Sequence, residues 1–540
     1  MRPRHRSTPR MTRLLGSLLL VAAASSFAVG AGPSASGAAE ASEEAGMRRL
    51  GEVVPAPASV APGGSPYRIT RDTRIRVDDN RAVRRIGEYV ADVLRPSTGY
   101  PLRVTSTGKG GIQLRLAKGA FGAEGYRLDS GAKGVTITAA KPAGLFHGVQ
   151  TLRQLLPAAV EKDSVQPGPW LVAGGTITDS PRYGWRGAML DVSRHFFTVD
   201  QVKRYVDQLA LYKVNKLHLH LSDDQGWRIA VDSWPRLATY GGSTQVGGGG
   251  GGYYTKDDYK EIVRYAASRY LEVVPEIDMP GHTNAALASY AELNCDGVAP
   301  PLYTGTDVGF SSLCVAKDVT YEFVDDVLLE LAALTPGKYL HIGGDEAHST
   351  SHADYVKFME RVQPIVAKYG KTVVGWHQLT GATPARGAVA QYWGLDDTSA
   401  EEKEQVAAAA RSGTGIVLSP ADRVYLDMKY TADTPLGQDW AGLVEVRRAY
   451  DWDPGDYLPG VPGSAIRGVE APLWTETIVT SADIEYMAFP RLAGVAELGW
   501  SPAAAHDWET YKVRLAAQGA RWEALGITYY RSPQVPWPAR

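Results

Sequence analysis

Hydrophobic and polar positions follow two different rhythms, one before and one after about residue 182. From about 53 to 181, short runs such as 112–116 (IQLRL) alternate hydrophobic and polar residues, and helical patterns lie at 82–94 and 144–156. A period of two is typical of half-buried strands, and a period near 3.6 is typical of amphipathic helices. The first rhythm therefore predicts a small α+β domain over 53–181.

After residue 182, strand patterns alternate with amphipathic helices. The first such helix begins after Thr198, which together with Gln201 has the spacing of a capping box. Eight segments have the pattern of strands: 189–192, 216–221, 271–277, 339–342, 372–376, 388–393, 415–418 and 468–474. Eight strands that mostly alternate with helices predict an α/β fold, a (β/α)8 TIM barrel over 182–540 with a C-terminal helical segment.

The N-terminus has the pattern of a secretory signal peptide. Several arginines precede the apolar run 14–29, and small residues follow it through Ala39. The run is too short and too rich in Ala and Ser for a membrane span. We expect a signal peptide and export region over 1–39, a disordered linker over 40–52, and a secreted, extracellular protein that has no membrane segment after cleavage.

Composition and charge narrow the partner. The 540 residues carry a formal net charge of -2 without long runs of like charge, which gives no case for nucleic acid or a membrane surface and favours a neutral ligand. Thirteen Trp and 28 Tyr suit stacking on sugar rings, although large α/β proteins also use these residues in the core.

Cysteine usage predicts one cross-link. The chain has two cysteines, Cys295 and Cys314, and an exported chain meets oxidising conditions, so we expect them to form a disulfide. A bridge across 19 residues stabilises by roughly 3 kcal/mol in the chain-entropy model, which is enough to hold a loop in place. Two cysteines also exclude a Cys-rich zinc site.

The segment 341–348 (HIGGDEAH) carries the strongest chemical signal. It ends an apolar run with Gly343 and Gly344, whose backbone freedom allows Asp345 and Glu346 to address one pocket instead of opposite faces of a strand. Adjacent carboxylates perturb each other's pKa, so one can stay ionised while the other keeps a proton to donate. The alternative is a solvated loop that begins a helix.

The barrel rule favours the catalytic interpretation, because active sites of such barrels lie at the C-terminal ends of the strands. Polar or aromatic residues follow every predicted strand. They are Arg194, Asp223, Asp278, His282, Asp345, Glu346, Trp376, Trp393, Tyr425, Asp427, Trp474 and Glu476.

Four segments in order resemble glycoside hydrolase family 20, the β-N-acetylhexosaminidases, and most of all its secreted actinobacterial enzymes. The segments are 186–196 (RGAMLDVSRHF), 218–227 (HLHLSDDQGW), 275–282 (PEIDMPGH) and 341–346 (HIGGDE). The resemblance covers nearly the whole mature chain, including the small α+β domain.

The resemblance implies an exo-acting, retaining enzyme that removes terminal GlcNAc or GalNAc from oligosaccharides or glycoconjugates, chitin fragments among them. Glu346 matches the general acid/base. Asp345 matches the residue that orients the substrate's 2-acetamido group and stabilises its developing positive charge, and Tyr425 matches the residue on the acetamido carbonyl. The acetamido oxygen attacks the anomeric carbon in this family, giving an oxazolinium intermediate, and no cofactor or metal is expected.

The resemblance also assigns substrate contacts. Trp376, Trp393 and Trp474 match the walls of the methyl pocket, although any one Trp is equally at home in a core. Arg194 and Glu476 match residues that bind the outer hydroxyls of the sugar, although Arg194 alone fits a structural ion pair as well. Asp427 with Trp440 matches the group around the 6-hydroxyl. Asp223, His282 and Asp278 match side chains that position the acid without touching the sugar, and a capped loop histidine is the alternative for His282.

Two other functions fit parts of the pattern. A metal-dependent barrel hydrolase would use His218 and His220 with Asp278, Asp345 and His341, but aromatic residues stand where further ligands would follow. A carbohydrate-binding barrel without catalysis would need Asp345 or Glu346 replaced, and both are present. The preference between GlcNAc and GalNAc, the oligomeric state, and the role of the glycines at 247–252, which are typical of a flexible loop, stay open.

Overall fold

The structure is a computed structural model that describes residues 47–119 and 121–539. The predicted signal peptide and the first part of the predicted linker lie outside the described residues. Among the helices that are described, none has the length and apolar character needed to cross a membrane.

The N-terminal part forms a mixed seven-stranded sheet with two helices. The strands of this part, including two outside that sheet, are β1 (Ser59–Pro62), β2 (Tyr67–Ile69), β3 (Ile75–Val77), β4 (Val104–Thr105), β5 (Gly111–Leu116), β6 (Tyr126–Gly131), β7 (Gly134–Ala139), β8 (Trp170–Val172) and β9 (Gly175–Asp179). The sheet order is β1-β9-β6-β7-β5-β3-β4, and β2 pairs separately with β8. Strands β4, β3, β5 and β7 are parallel to one another, whereas β6, β9 and β1 join antiparallel.

Both predicted helices of this part are present, as α1 (Arg81–Thr98) and α2 (Pro142–Leu155). The Asn80 side chain accepts the Ala82 and Val83 N–H groups at the start of α1, and Gly99 ends the helix at φ 66°. The apolar stripe of α1 packs on β3 and α2, so the helical period seen in the sequence becomes the contact face.

The predicted (β/α)8 barrel is confirmed. Its strands are β10 (Trp185–Asp191), β11 (Lys216–His220), β14 (Glu272–Glu276), β15 (Tyr339–His341), β16 (Thr372–Trp376), β17 (Val389–Tyr392), β18 (Gly415–Leu418) and β19 (Ile466–Ala471), all parallel, with β19 pairing to β10 to close the barrel. A short hairpin of β12 (Ser222–Asp223) and β13 (Gly226–Trp227) follows β11. Strand β10 begins at Trp185, four residues before the predicted start, because Arg186 and Gly187 interrupt the hydrophobic run yet pair with β19.

Helices surround the barrel and complete the C-terminal part. They are α3 (Val199–Leu211), α4 (Arg236–Thr239), α5 (Lys256–Ser268), α6 (Asn284–Ser289), α7 (Asp318–Leu334), α8 (His352–Lys368), α9 (Ala400–Arg411), α10 (Ala421–Val424), α11 (Val446–Tyr450), α12 (Ser481–Ala488), α13 (Arg491–Trp500), α14 (Trp508–Ala516) and α15 (Gly519–Ala524). The predicted capping box begins α3, with reciprocal bonds between Thr198 and Gln201. Between β16 and β17 the chain makes only a 3-10 turn, His377–Gly381.

The barrel interior changes character along its axis. An apolar cluster fills the N-terminal end: Trp185, Val274, Val374, Val389 and Val417, with Tyr339 against it. Nearer the C-terminal end, His218, Glu276 and Glu470 are fully buried and hydrogen-bonded to one another or to their neighbours. Buried charges need such partners. The interior of this barrel thus contains a polar network where most barrels have aliphatic layers.

Candidate active site

A cavity of about 190 Å³ lies at the C-terminal end of the barrel, where the predicted residues come together. Its lining residues are Arg194, His282, Thr306, Val308, Asp345, Glu346, Trp393, Tyr425, Asp427, Gln438, Trp440, Trp474 and Glu476. They belong to the segments that follow six different strands. A larger groove of about 1190 Å³ between α1, α3 and α5 contains none of the predicted residues.

The turn after β15 brings two adjacent carboxylates to the same cavity. Gly343 and Gly344 have φ values of 63° and 100°, and Glu346 itself has φ 44°. A side chain on Gly343 would collide with Asp278, since its Cβ would lie 1.7 Å from Oδ1. Glycine is therefore required at Gly343, and the left-handed turn lets Asp345 and Glu346 both line the cavity.

The general-acid candidate Glu346 stands at the end of a chain of ionic contacts. His282 Nε2 lies 3.4 Å from Glu346 Oε2, and His282 Nδ1 lies 3.2 Å from Asp223 Oδ1. Asp223 Oδ2 lies 2.9 Å from the Arg194 guanidinium. Asp223 and His282 are fully buried, so every charge in this chain faces a partner of opposite sign.

These contacts set the charges at the acid. Burial lowers the pKa of His282, but the carboxylates of Asp223 and Asp345 outweigh it and raise that pKa well above its usual value. Burial raises the pKa of Glu346, yet hydrogen bonding and attraction from His282, together with the charge of Arg194, lower it overall. In the free site His282 therefore carries the proton and Glu346 is ionised.

Asp345 and Asp278 form a coupled pair of carboxyl groups. Asp278 Oδ1 accepts the Gly344 N–H at 3.0 Å. Burial and the nearby Asp345 raise the pKa of Asp278 well above its usual value. Burial also raises the pKa of Asp345 above its usual value, but by less than that of Asp278, because the attraction of His282 opposes the rise. Asp278 is therefore the group that keeps the proton, and Asp345 carries the negative charge into the cavity.

The opposite end of the cavity holds a second carboxyl pair, Asp427 and Glu476. Burial and Glu476 raise the pKa of Asp427 well above its usual value, and burial raises the pKa of Glu476 despite the attraction of Arg194. Three buried carboxyl oxygens of the lining accept no hydrogen bond from the described part of the chain: Asp345 Oδ1, Asp427 Oδ2 and Glu476 Oε2. Such buried acceptors fit a ligand that brings several N–H or O–H donors.

Asp191 holds the loops that present Arg194 and Glu476. Its Oδ1 accepts the Arg194 N–H at 3.1 Å, and its Oδ2 accepts the Thr475 N–H at 3.1 Å. One buried carboxylate at the end of β10 thus ties the segment after the first strand to the segment after the last. This tie closes one side of the cavity.

Aromatic rings form the remaining wall. Tyr425 lies 5.9 Å from Trp440 and 6.2 Å from Trp474, and Trp393 lies 6.0 Å from Trp440. The Arg194 guanidinium lies 4.8 Å from the Trp474 ring. Trp376 is fully buried 5.7 Å behind Trp474 and is not among the lining residues, so it supports the wall from within the core.

The predicted disulfide between Cys295 and Cys314 is present, with a Cα–Cα distance of 4.9 Å. It closes a loop against the segment that carries Asp278 and His282: Leu313 N–H donates to Pro280 O and Thr283 N–H donates to Ser311 Oγ, both at 2.9 Å. The same loop supplies Thr306 and Val308 to the cavity.

The histidines of the metal alternative are engaged in hydrogen bonds. His218 contacts Glu470 and Glu276 with its two nitrogens at 2.8 and 3.0 Å. His220 contacts Glu276 and Asp223 at 2.5 and 2.7 Å. Both nitrogens of each imidazole thus contact a carboxylate, and an ion held by His218 or His220 would have to replace one of these contacts.

Family models match most of the chain. The catalytic domain of glycosyl hydrolase family 20 matches residues 183–503, and domain 2 of the same family matches residues 51–180. The chain belongs to glycosyl hydrolase family 20. It is a glycoside hydrolase of the β-N-acetylhexosaminidase type.

Relatives of this family 20 enzyme include solved structures. A β-N-acetylhexosaminidase of Cellulomonas fimi is 42% identical over 88% of this chain and 95% of its own length. The family 20 β-N-acetylhexosaminidase of Streptomyces coelicolor A3(2) is 78% identical with a TM-score of 0.91, covering 91% of this chain and 100% of that one. A mutant β-hexosaminidase of Streptomyces plicatus, solved with the product GlcNAc, is 77% identical with a TM-score of 0.91, covering 91% and 99%.

Three lining residues of this family 20 enzyme were absent from the sequence prediction: Thr306, Val308 and Gln438. They lie on long loops between strands, where no period or motif marks them. The disulfide was a usable signal for the first two, because it showed that the loop is held near the segment carrying His282. Gln438 gives no comparable signal.

Proposed function

We propose that this enzyme is an exo-acting, retaining β-N-acetylhexosaminidase that releases terminal GlcNAc or GalNAc by substrate-assisted catalysis. The observation that carries the proposal is the pairing of Asp345 and Glu346 on one small cavity. At about 190 Å³ the cavity is smaller than the ~300–1,000 Å³ of drug-sized ligand sites, which suits a single sugar. The product complex of the Streptomyces plicatus relative supports the choice of GlcNAc.

The substrate itself supplies the nucleophile. The acetamido carbonyl oxygen attacks the anomeric carbon while the glycosidic oxygen leaves and takes a proton from Glu346. The cyclic oxazolinium that results is opened by water, which gives its proton to Glu346 as it attacks the same carbon. Two inversions retain the configuration, and a tethered, well-oriented nucleophile has an effective molarity of about 10⁵–10⁸ M.

Asp345 stabilises the cyclic intermediate. Ring closure places positive charge on the acetamido nitrogen, and an ionised Asp345 opposes that charge in a buried setting where its field is weakly screened. Asp278 supports this role because it holds the shared proton. Burial raises the pKa of Tyr425 well above its usual value, so its hydroxyl stays neutral and can donate to the acetamido oxygen.

Glu346 obtains its proton from His282. His282 Nε2 lies 3.4 Å from Glu346 Oε2, and in the free site the ionic form of the pair is favoured. The Glu346 side chain is 28% exposed, so a bound sugar and its leaving group displace water from it. A less polar surrounding favours the neutral pair, with the proton on Glu346, at the moment when the leaving oxygen needs it.

The closed end of the cavity supports exo action. Arg194 and Asp427 are buried there, and with the buried Oε2 of Glu476 they offer acceptors and a cation to the outer hydroxyls of a terminal sugar. A chain that continued past those hydroxyls would meet these side chains. The aromatic wall of Trp393, Tyr425, Trp440 and Trp474 would hold the acetamido methyl group and the sugar face.

We further propose that the enzyme is exported and acts outside the cell on N-acetylhexosamine-terminated oligosaccharides, fragments of chitin among them. The signal-like N-terminus and the disulfide support this location. N-terminal sequencing of the protein from culture medium tests it. A mature chain that begins near residue 40 is expected, whereas an intact N-terminus retained in the cell would contradict export.

Proton NMR of the hydrolysis of an aryl β-N-acetylglucosaminide and its galacto counterpart tests the reaction. The β-anomer of the free sugar should appear first, in the presence of EDTA as well. An α-anomer first would refute retention, activity lost to EDTA and restored by zinc would favour the metal-dependent hydrolase, and binding without turnover would favour a carbohydrate-binding barrel.

Increasing fluorination of the N-acetyl group tests the nucleophile. Fluorine withdraws electrons from the carbonyl oxygen, so the rate should fall stepwise along the series. A rate indifferent to fluorination, together with a glycosyl ester trapped on a protein carboxylate, would refute substrate assistance.

A further inference from the structure

Glu276, at the end of β14, is the centre of the buried polar network in the barrel. Its Oε2 lies 3.0 Å from His218 Nε2 and 2.5 Å from His220 Nδ1. Its Oε1 lies 2.9 Å from both Trp376 Nε1 and His341 Nδ1. The side chain is fully buried, so four protein contacts fix both oxygens and leave the carboxylate no other orientation.

One arm of this network leads directly to the acid. From Glu276 it passes to His220, whose Nε2 lies 2.7 Å from Asp223 Oδ2. The same Asp223 contacts Arg194 at 2.9 Å and His282 at 3.2 Å, and His282 reaches Glu346. Carboxylate and imidazole alternate along the whole arm, so each group pairs with a neighbour of opposite charge. A change of charge at Glu276 therefore disturbs the pairing of every later group.

The charges along the arm are consistent with this order. Burial raises the pKa of Glu276, but His341, His220 and His218 outweigh it and hold it well below its usual value. Burial lowers the pKa of His220, but Glu276 and Asp223 outweigh it and hold it well above. His220 is thus an imidazolium between two carboxylates, and it donates from both nitrogens.

We propose that Glu276 is a positioning residue for the reaction. It holds His220 as a donor from both nitrogens, and His220 in turn keeps Asp223 in contact with Arg194 and His282. His282 is thereby held against Glu346. The inference rests on the proposed function of Glu346 as the acid. Other titratable groups near Glu276 are His218 on β11, His341 on β15, Asp278 and Asp345 beyond the strand ends, and Glu470 on β19 behind His218.

The chain offers a matched control in Glu470. It is also a fully buried carboxylate of the barrel interior, and it contacts His218, Gln391 and Trp185 at 2.7–2.9 Å. None of these three residues lines the cavity. Glu470→Gln therefore reports the general cost of removing a buried charge from this network, without the arm that ends at the acid.

The experiment compares Glu276→Gln and Glu470→Gln with the parent enzyme by pH–rate profiles on two substrates, one with an activated aryl leaving group and one with an alkyl leaving group. A 1 Å displacement of a catalytic group lowers the rate about 10²-fold, and we expect a loss of that order in kcat for Glu276→Gln. The loss should be larger for the alkyl substrate. The limb of the pH–rate profile that reports the acid should also shift. Glu470→Gln should keep the parent's profile and the parent's ratio between the two substrates.

The same variants give the contrary outcomes. If both keep the parent's pH profile and leaving-group ratio, Glu276 is only structural. If the parent enzyme itself does not hydrolyse N-acetylhexosaminides, the proposed function fails instead. A double variant, Glu276→Gln with Asp223→Asn, should lose little more than the worse single variant, whereas additive losses would overturn a common arm.

A measurement on the unaltered protein covers the case in which Glu276→Gln does not fold. Neutron diffraction from a crystal of the unaltered enzyme near neutral pH should show deuterium on both nitrogens of His220. A neutral His220, with deuterium on one nitrogen, would overturn the proposal.

Discussion

The two sides of the cavity are built in different ways. On one side Asp345, Glu346 and His282 are held by ionic contacts that continue into the barrel interior through Asp223. On the other side Trp393, Tyr425, Trp440 and Trp474 are held chiefly by ring contacts of 5.7–6.2 Å, and Trp440 is 49% exposed. The charged side is fixed from within the core, whereas the aromatic side reaches the surface.

The difference separates rate from affinity. Charged groups act most strongly where charge develops in the transition state, and their field is greatest in the buried part of the site. Ring contacts act on the neutral sugar and change little as the bond breaks, so they stabilise the bound substrate and the transition state alike. Substitutions on the charged side should therefore lower kcat, and substitutions of the tryptophans on the aromatic side should chiefly raise KM.

The largest effect is expected for Glu346→Gln, which keeps the shape of the side chain and removes the proton donor. General acid catalysis contributes about 10²–10⁴-fold, and the loss in kcat should approach that range for alkyl leaving groups and be smaller for activated aryl ones. Steady-state kinetics on both substrates measures it, with Glu401→Gln on the exposed surface of α9 as the control. An equal loss on the two leaving groups would mean that Glu346 is not the acid.

Next in size is Asp345→Asn. Loss of one preorganised electrostatic contact costs about 2.7–4 kcal/mol, or roughly 10²–10³-fold in kcat, while KM should change less because the acetamide is neutral before the ring closes. Asp427→Asn is the matched comparison, since burial and Glu476 raise the pKa of Asp427 well above its usual value and so favour its neutral form. If Asp427→Asn lowers kcat as much as Asp345→Asn, the loss does not report the negative charge of Asp345.

A smaller effect is expected for Trp440→Ala on the aromatic rim. An aromatic contact is worth about 0.5–1.5 kcal/mol beyond its area, so KM should rise about 2- to 13-fold with kcat nearly unchanged. Titration of initial rates against substrate concentration measures both constants. A fall in kcat comparable to that of Asp345→Asn would break the division between the two sides.

The smallest effect concerns stability and pH. Burial lowers the pKa of His282, but Asp223 and Asp345 outweigh it and raise that pKa well above its ordinary value of 6.5. Protonated His282 therefore stabilises the folded state fully below about pH 6.5, and this contribution is lost as the pH rises through the raised pKa. The difference in Tm between the parent enzyme and His282→Gln should therefore be greatest at low pH and shrink at high pH.

Thermal unfolding from about pH 5 to about pH 10 measures that difference. Trp440→Ala, which removes no titrating group, should show the same offset from the parent enzyme at every pH. A His282→Gln offset that is equally flat would mean that His282 does not gain charge on folding.

Much of the fold could be predicted from local patterns. The capping box at Thr198 and the apolar stripe of α3 arise from neighbours within a few turns, so the sequence displays them directly. The start of β10 could not be predicted in this way. Arg186 is buried there because it pairs with Glu124 of the small domain, which is 62 residues away in the chain. Pairing over such a distance leaves no period in the chain.

The sequence by itself determined which chemical groups follow the strands and that Gly343 and Gly344 free the turn before Asp345 and Glu346, because these properties belong to residue types and their order. Only the tertiary structure decided which groups share a partner. It placed Trp376 behind the cavity instead of on its wall, brought Thr306 and Val308 into the lining, and joined Glu276 to Asp223 through His220. Closure of the barrel sets those distances, since it brings strands that are far apart in the chain within hydrogen-bonding reach.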